Sequence, residues 1–334
     1  MKKLINLTMF DLLKGVAMLG VVFGHSFGGE NAVLGDAVGK VLYSLLMPAF
    51  FVVSGYWLKK KSIKVGVKTG FEYLFIPFVI VIAVIDLVGF GYRFLQNDLD
   101  SWFNVFLIPS LLVSTAGANR VGPMWFVFAL FLAWSIFAAV INIKSQQVQW
   151  ILAISAAVVG GALMPLELPF QIAQGLIAFF FVYCGYMLKK KKLLDAKQHV
   201  LVYVVMIAAW VCTVIFGSMN MYAYDVKYGI LSVLGSLCGA LIIIKLFLYI
   251  NLLEWSVLDG IRWVGRYSMW FLCIHAIEHA VFPWKILFRF VEQGTILGSL
   301  MQFLCRLIFI VIGCIVIQRV QRYWIGRKTQ NIEK

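Results

Sequence analysis

Apolar residues in this chain fall into long runs, separated by short polar stretches rich in Lys and Arg. Ten runs approach the roughly 20 residues a helix needs to cross a hydrocarbon layer: 10–27, 40–58, 71–92, 122–142, 148–164, 170–188, 199–217, 227–250, 261–281 and 296–318. The pattern predicts an all-α, polytopic membrane helix bundle, a single integral-membrane domain over 1–334 with a basic tail at 319–334. The loops between the runs are short and no soluble domain is expected, so any chemistry is expected to arise inside the bundle.

Composition agrees. The 334 residues are 62% hydrophobic and 13% charged, far from the balance of a soluble domain. The formal charge of +14 would point to nucleic acid in a soluble protein. Here the basic residues sit in short loops, the pattern of membrane orientation, so nucleic acid is not an expected partner. An even number of spans puts both termini on one side. Twenty-one of the Lys and Arg lie on that side and six on the other, so both termini are expected in the cytoplasm. The start, MKKLINLTMFDLLKG, resembles a secretory signal, but Asp11 and Lys14 interrupt its apolar run and no clear cleavage site follows. It reads as a retained first helix. The six Cys lie scattered within apolar runs, with no C-x-x-C, and read as packing residues.

Two local features add detail. The longest outer loop, about 94–121, is half apolar and is expected to lie on the membrane surface or dip back into the protein. FVVSGYWLKKK (51–61) and FVYCGYMLKKKK (181–192) align at an offset of 130, each closing a span on the basic side. The simplest reading is convergence of two inward helix ends on an aromatic belt and a Lys anchor.

The stretch KGVAMLGVVFGHS (14–26) keeps two ionisable groups in a predicted span. Lys14 and His25 are eleven residues apart, close to three helical turns, so they share one face about 16 Å apart along the axis. Asp11 lies on the same face. Each alone has a structural reading, Lys14 as a snorkelling anchor and His25 as a hydrogen-bonded core residue. Together on one face they point to a cavity.

The pattern D-x-x-K-G, then V-x-x-x-G-H, over residues 11–25 resembles the first helix of the acyltransferase-3 family of membrane acyltransferases, with Lys14 in the place of the family's Arg. MPAFFVVSGYWLKKK (47–61), GPMWFVFALF (122–131) and GRYSMWFLCIHAIE (265–278) are similar to later family segments, in the family's order. The resemblance covers nearly the whole chain, and the Lys-Gly variant and compact length look most like the fucose 4-O-acetylase branch. It implies transfer of an acetyl or other short acyl group from cytoplasmic acyl-CoA, as co-substrate rather than tightly bound cofactor, to a hydroxyl of a cell-surface or lipid-linked glycan. The expected setting is a bacterial cytoplasmic membrane.

On that reading His25 is the candidate catalytic residue, as general base or as acyl carrier. The candidate donor- and acceptor-binding residues are Lys14, Asp11, Ser54, Gly55, Lys68, Trp125, Tyr267, Ser268, His275 and Glu278. Lys14 is a partner for CoA phosphate, with Lys64 and Lys68 attracting it to the inner mouth. Ser54 and Gly55 also read as a close-packing pair, and Trp125 as a packing residue. One departure stands out. Many relatives carry paired Arg before the Pro that opens the third helix; here, in KVGVKTGFEYLFIP (64–77), Lys68 stands in for one and Tyr73 takes the other place, with Glu72 beside it.

His275, Glu278 and His279 spell the H-x-x-E-H of a zinc-protease class. No pattern supplies a further ligand, so no metal is assigned; His275 is expected to face the same cavity as His25. Asp86 and Arg306 are further charges within spans, read as cavity lining or as an internal pair. The alternative to an enzyme is a multi-pass transporter or flippase without acyl-transfer chemistry.

Overall fold

The computed structural model describes residues 7–26, 32–115, 121–194, 196, 198–253, 255–284 and 295–332, with side chains omitted at 7, 32–37 and 322–332. Several residues used for the expected orientation (Lys2, Lys3, Glu30, Arg120, Lys197, Lys285, Arg289, Lys334) lie outside this set.

The chain is an all-α membrane bundle. In order it forms α1 (Leu7–Gly24), α2 (Ala32–Trp57), α3 (Ile63–Gly70), α4 (Ile76–Leu95), α5 (Leu99–Trp102), α6 (Ile108–Leu112), α7 (Trp125–Val140), α8 (Gln146–Leu163), α9 (Ile172–Lys190), α10 (Val200–Phe216), α11 (Ile230–Ile250), α12 (Ser256–Arg266), α13 (Ser268–Val281) and α14 (Ile296–Ile332). Among the described residues, seven helices are long and apolar enough to cross a membrane, and Leu99–Leu112 and Val200–Phe216 are shorter apolar helices.

The expected span 261–281 is divided. α12 ends at Arg266 and α13 begins at Ser268, with Tyr267 between them in a non-helical conformation. α12 is amphipathic, with Asp259, Arg262 and Arg266 along it, so it is unsuited to lipid on all sides. It crosses the first half of α1 so closely that a Cβ on Gly265 would lie 1.7 Å from the Asp11 carbonyl oxygen, and one on Gly15 would lie 2.0 Å from that of Ile261.

Two single π-turns interrupt the α-helical ladder. One, Phe71–Phe75, joins α3 to α4 into one element; the other, Phe103–Leu107, joins α5 to α6. Each is followed by a proline, Pro77 or Pro109. Proline cannot donate to the carbonyl four residues earlier, and the wider turn absorbs that break. The second element packs back on α4: Trp102 donates to the Asp86 carbonyl (3.0 Å) and Ser110 to its carboxylate (2.9 Å). Asp86 is therefore held by Ser110. It neither lines the main cavity nor pairs with Arg306.

The two similar segments of α2 and α9 pack on each other. A Cβ on Gly55 would lie 1.9 Å from the Val182 oxygen, and one on Gly185 would lie 1.9 Å from the Val52 oxygen. These contacts exchange under the offset of 130, so the pair has a local pseudo-two-fold. The helices run parallel, with Phe51 stacked on Phe181 and Lys189 at the far end over Trp57 (4.8 Å). Hydrocarbon offers little drive for helices to associate, so small residues that let backbones touch supply the contact.

Candidate active site

A cavity of about 900 Å³ runs inside the bundle between α1, α2, the Phe71–Phe75 turn, α7 and α13. Lys14, in the middle of α1, and His25, just past its end, both line it. The helical period that put them on one face is thus realised, and that face lines the cavity. Lys14 pairs with Asp11 at 2.9 Å, and Asp11 also lies 3.9 Å from the Arg266 Nε. Asp11 is thereby a partner of Lys14 rather than part of the wall.

α2 supplies a full stripe of the wall: Leu42, Tyr43, Leu46, Met47, Phe50, Val53, Ser54 and Trp57 recur every three or four residues. Ser54 accepts a hydrogen bond from Trp134 Nε1 at 2.8 Å, orienting that indole across the cavity. Gly55, one residue on, faces away into the α9 contact. The Ser-Gly pair thus divides its work, Ser54 toward the cavity and Gly55 toward packing. Ser54→Ala leaves the indole N–H without this partner. The expected result is a loss of about 1–2 kcal/mol of stability, seen as a lowered melting temperature in detergent.

Glu72 and Tyr73 also line the cavity. Tyr73 is 66% exposed, so it sits at the edge of the cavity. Lys68 is not in the wall; it pairs with Glu72 at 3.7 Å and is largely exposed. Trp125 and Ser268 line the cavity, whereas Tyr267 does not. Tyr43, Trp134 and Tyr222 are lining residues that the sequence patterns did not single out. The stripe on α2 would have flagged Tyr43 once Ser54 was chosen, but in a helix apolar on every side no moment marks which stripe faces inward.

Behind His25 lies a buried polar cluster. The His25 ring centroid is 4.6 Å from that of His279 and 5.3 Å from that of His275. His275 and Glu278 are fully buried, and neither is in the cavity wall. The His275 Nδ1 and Glu278 Oε1 are 2.7 Å apart, one turn of α13 holding them together. With Glu278 ionised, Nδ1 donates, which leaves the His275 Nε2 as a bare acceptor with no partner. Trp284 Nε1 donates to the other carboxylate oxygen (2.5 Å), and Arg306 lies 3.8 Å from Glu278 while its Nη1 donates to the His279 Nδ1 at 3.1 Å. With its amide oriented to satisfy both neighbours, Gln302 accepts from Arg306 (3.0 Å) and donates to the Ser26 carbonyl (3.2 Å). The residue after His25 is thereby tied to the cluster.

The H-x-x-E-H motif is thus organised as an ion-paired network. Among the described residues no group of three or more His, Cys, Asp or Glu is arranged to hold a metal ion. Removing Glu278 would strand a buried guanidinium. Glu278→Ala is expected to cost about 3–5 kcal/mol of stability. A Glu278→Ala/Arg306→Met double variant should recover part of it, as read by melting in detergent. Additive losses would argue against the pairing.

No curated protein and no solved structure matched the chain. The cavity on the lysine–histidine face of the first helix agrees with a match of residues 8–319 to the family model described as an acyltransferase domain, so this chain belongs to the acyltransferase-3 family of membrane acyltransferases.

Proposed function

We propose that the protein is a membrane O-acyltransferase that moves an acetyl or other short acyl group from cytoplasmic acyl-CoA to a hydroxyl of an extracytoplasmic glycan, in a bacterial cytoplasmic membrane. The observation that carries this reading is the single cavity joining Lys14 to His25 along one face of α1. The Lys and Arg asymmetry of the sequence supports an orientation with Lys14 toward the cytoplasm and His25 toward the outer side. A donor entering from one side and an acceptor from the other then meet in one cavity.

In this reading His25 is the general base. It takes the acceptor hydroxyl proton as that oxygen attacks the thioester carbonyl. The carbon–sulfur bond breaks, and the coenzyme leaves as its thiol with the proton returned by His25. Lys14, held by Asp11, offers a point charge to phosphate at the inner end. His275 and His279 flank the His25 ring and restrict its orientation. Trp125 and Tyr222, with ring centroids 6.5 Å apart on the cavity wall, offer aromatic surface to a sugar.

The test is mass spectrometry of surface polysaccharide and lipid-linked sugars from a deletion strain, its parent and the strain complemented with the gene. Loss of one acetyl mass per modified sugar, restored on complementation, supports the reading. Identical glycans in the deletion strain and parent would remove it. The branch resemblance makes a deoxyhexose the first acceptor to check.

A further inference from the structure

A smaller annexe of about 360 Å³ opens between the end of α2, α3 and α7. It shares two wall residues, Trp57 and Trp134, with the main cavity. Its other walls include Lys59, Lys61 and Thr69. Its floor is fixed: Asn142 donates to the Lys61 carbonyl (2.9 Å) and to that of Ala138 (2.7 Å), tying the stretch after α2 to the end of α7. The Lys61 Nζ donates to Thr69 Oγ1 at 3.3 Å, which holds the ammonium at the wall. Lys189 lies over Trp57 and adds charge beside the annexe.

We propose that this annexe binds the phosphate-bearing nucleotide end of the acyl-CoA donor, a deepening that rests on the function proposed above. Three observations carry it. The annexe adjoins the main cavity at two tryptophans, so two indoles separate it from the space that His25 lines. Its lining includes two lysines and no acidic side chain. Lysine suits phosphate as a compact point charge. Lysines that served only to anchor the helix end would face lipid headgroups rather than wall a pocket. Ser54 gains a role in this arrangement, because its bond to Trp134 sets one of the two indoles where annexe and cavity meet.

A competing site exists at the same end of α1. A polar cleft of about 510 Å³ is lined by Thr8, Asn251, Asp259, Arg262, Trp263 and Arg266. Its Arg262 is already engaged by Asp259 (2.7 Å) and by Asn251, and Asp259 adds the wrong charge for phosphate.

The full-length chain in phosphatidylcholine nanodiscs would be titrated with coenzyme A, adenosine 3′,5′-bisphosphate and pantetheine. Lys59→Gln/Lys61→Gln should weaken the first two on the order of tenfold per lysine and leave pantetheine unchanged. It should also flatten the salt dependence of binding. Lys190→Gln/Lys191→Gln removes the same charge from the same end of the bundle, outside the annexe, and should leave all three affinities unchanged. Wild-type affinities in the Lys59/Lys61 variant would overturn the assignment. So would loss in Arg262→Gln/Arg266→Gln instead, or failure of the wild-type chain to bind the bisphosphate. The readout is binding, so it separates this inference from the acyl-transfer reaction itself.

Discussion

His25→Ala is expected to abolish acyl transfer while the protein still inserts and folds. A positioned base contributes on the order of 10²–10⁴ in rate, and a hydroxyl left to find solvent base inside a mostly apolar cavity has little to replace it. The fold should survive because one side of the imidazole lines the cavity rather than packing against a neighbouring helix. The backbone at this position is held independently, with the His25 N–H donating to the Val21 carbonyl at 3.1 Å and Ser26 bonded to Val22 and Phe23. The measurement is acyl content of the surface glycan, alongside release of coenzyme thiol from acyl-CoA by the purified protein. Retention of activity within tenfold of wild type would exclude His25 as the base. Lys14→Ala should behave differently, raising the KM for donor more than it lowers kcat, and Lys14→Arg should largely restore it because the charge remains. If His25 instead carries the acyl group, ping-pong kinetics and a trapped acyl-protein would show it.

Gly55→Ala is expected to produce the largest structural defect of any single methyl added to this chain's α2. The new Cβ would sit 1.9 Å from a backbone oxygen of α9, which no side-chain rotation can relieve. The helices must separate, giving up the contact that replaces a hydrophobic drive in the membrane. A loss of about 3 kcal/mol or more is expected, at or beyond the upper end for an overpacked core. It should appear as early thermal unfolding and broadened size-exclusion profiles in detergent. Because Gly185 meets Val52 in the mirrored contact, Gly185→Ala should match it in size. The double variant should be less damaging than the sum, since one separation relieves both overlaps. Melting at the wild-type temperature in either single variant would show that the contact is not what holds α2 to α9.

The same glycine pair shows where sequence reading reached and where it stopped. The similarity of 51–61 to 181–192 was visible as text and suggested only two helix ends with the same anchor. That the two segments touch depends on which of many helices become neighbours, and all-apolar helices carry no periodic mark of their partners. Likewise 261–281 reads as one span by average hydropathy. The break at Tyr267 follows from the amphipathic face of α12 and its glycine crossing with α1, a contact more than 240 residues distant in sequence.

By itself the sequence determined that this is an all-α membrane bundle, because run length and composition measure directly what hydrocarbon tolerates. It also determined that Lys14 and His25 share a face, because eleven residues on an α-helix leave no other choice. Only the tertiary structure decided that this face opens on a cavity while Gly55 is packed shut, that Glu278 binds His275 and Arg306 behind His25, and that Asp86 belongs to a separate contact with Ser110. The reason is physical: spacing along one helix is local geometry. Which helices pack against each other, and which gap between them stays open, depends on small contacts between elements far apart in the chain.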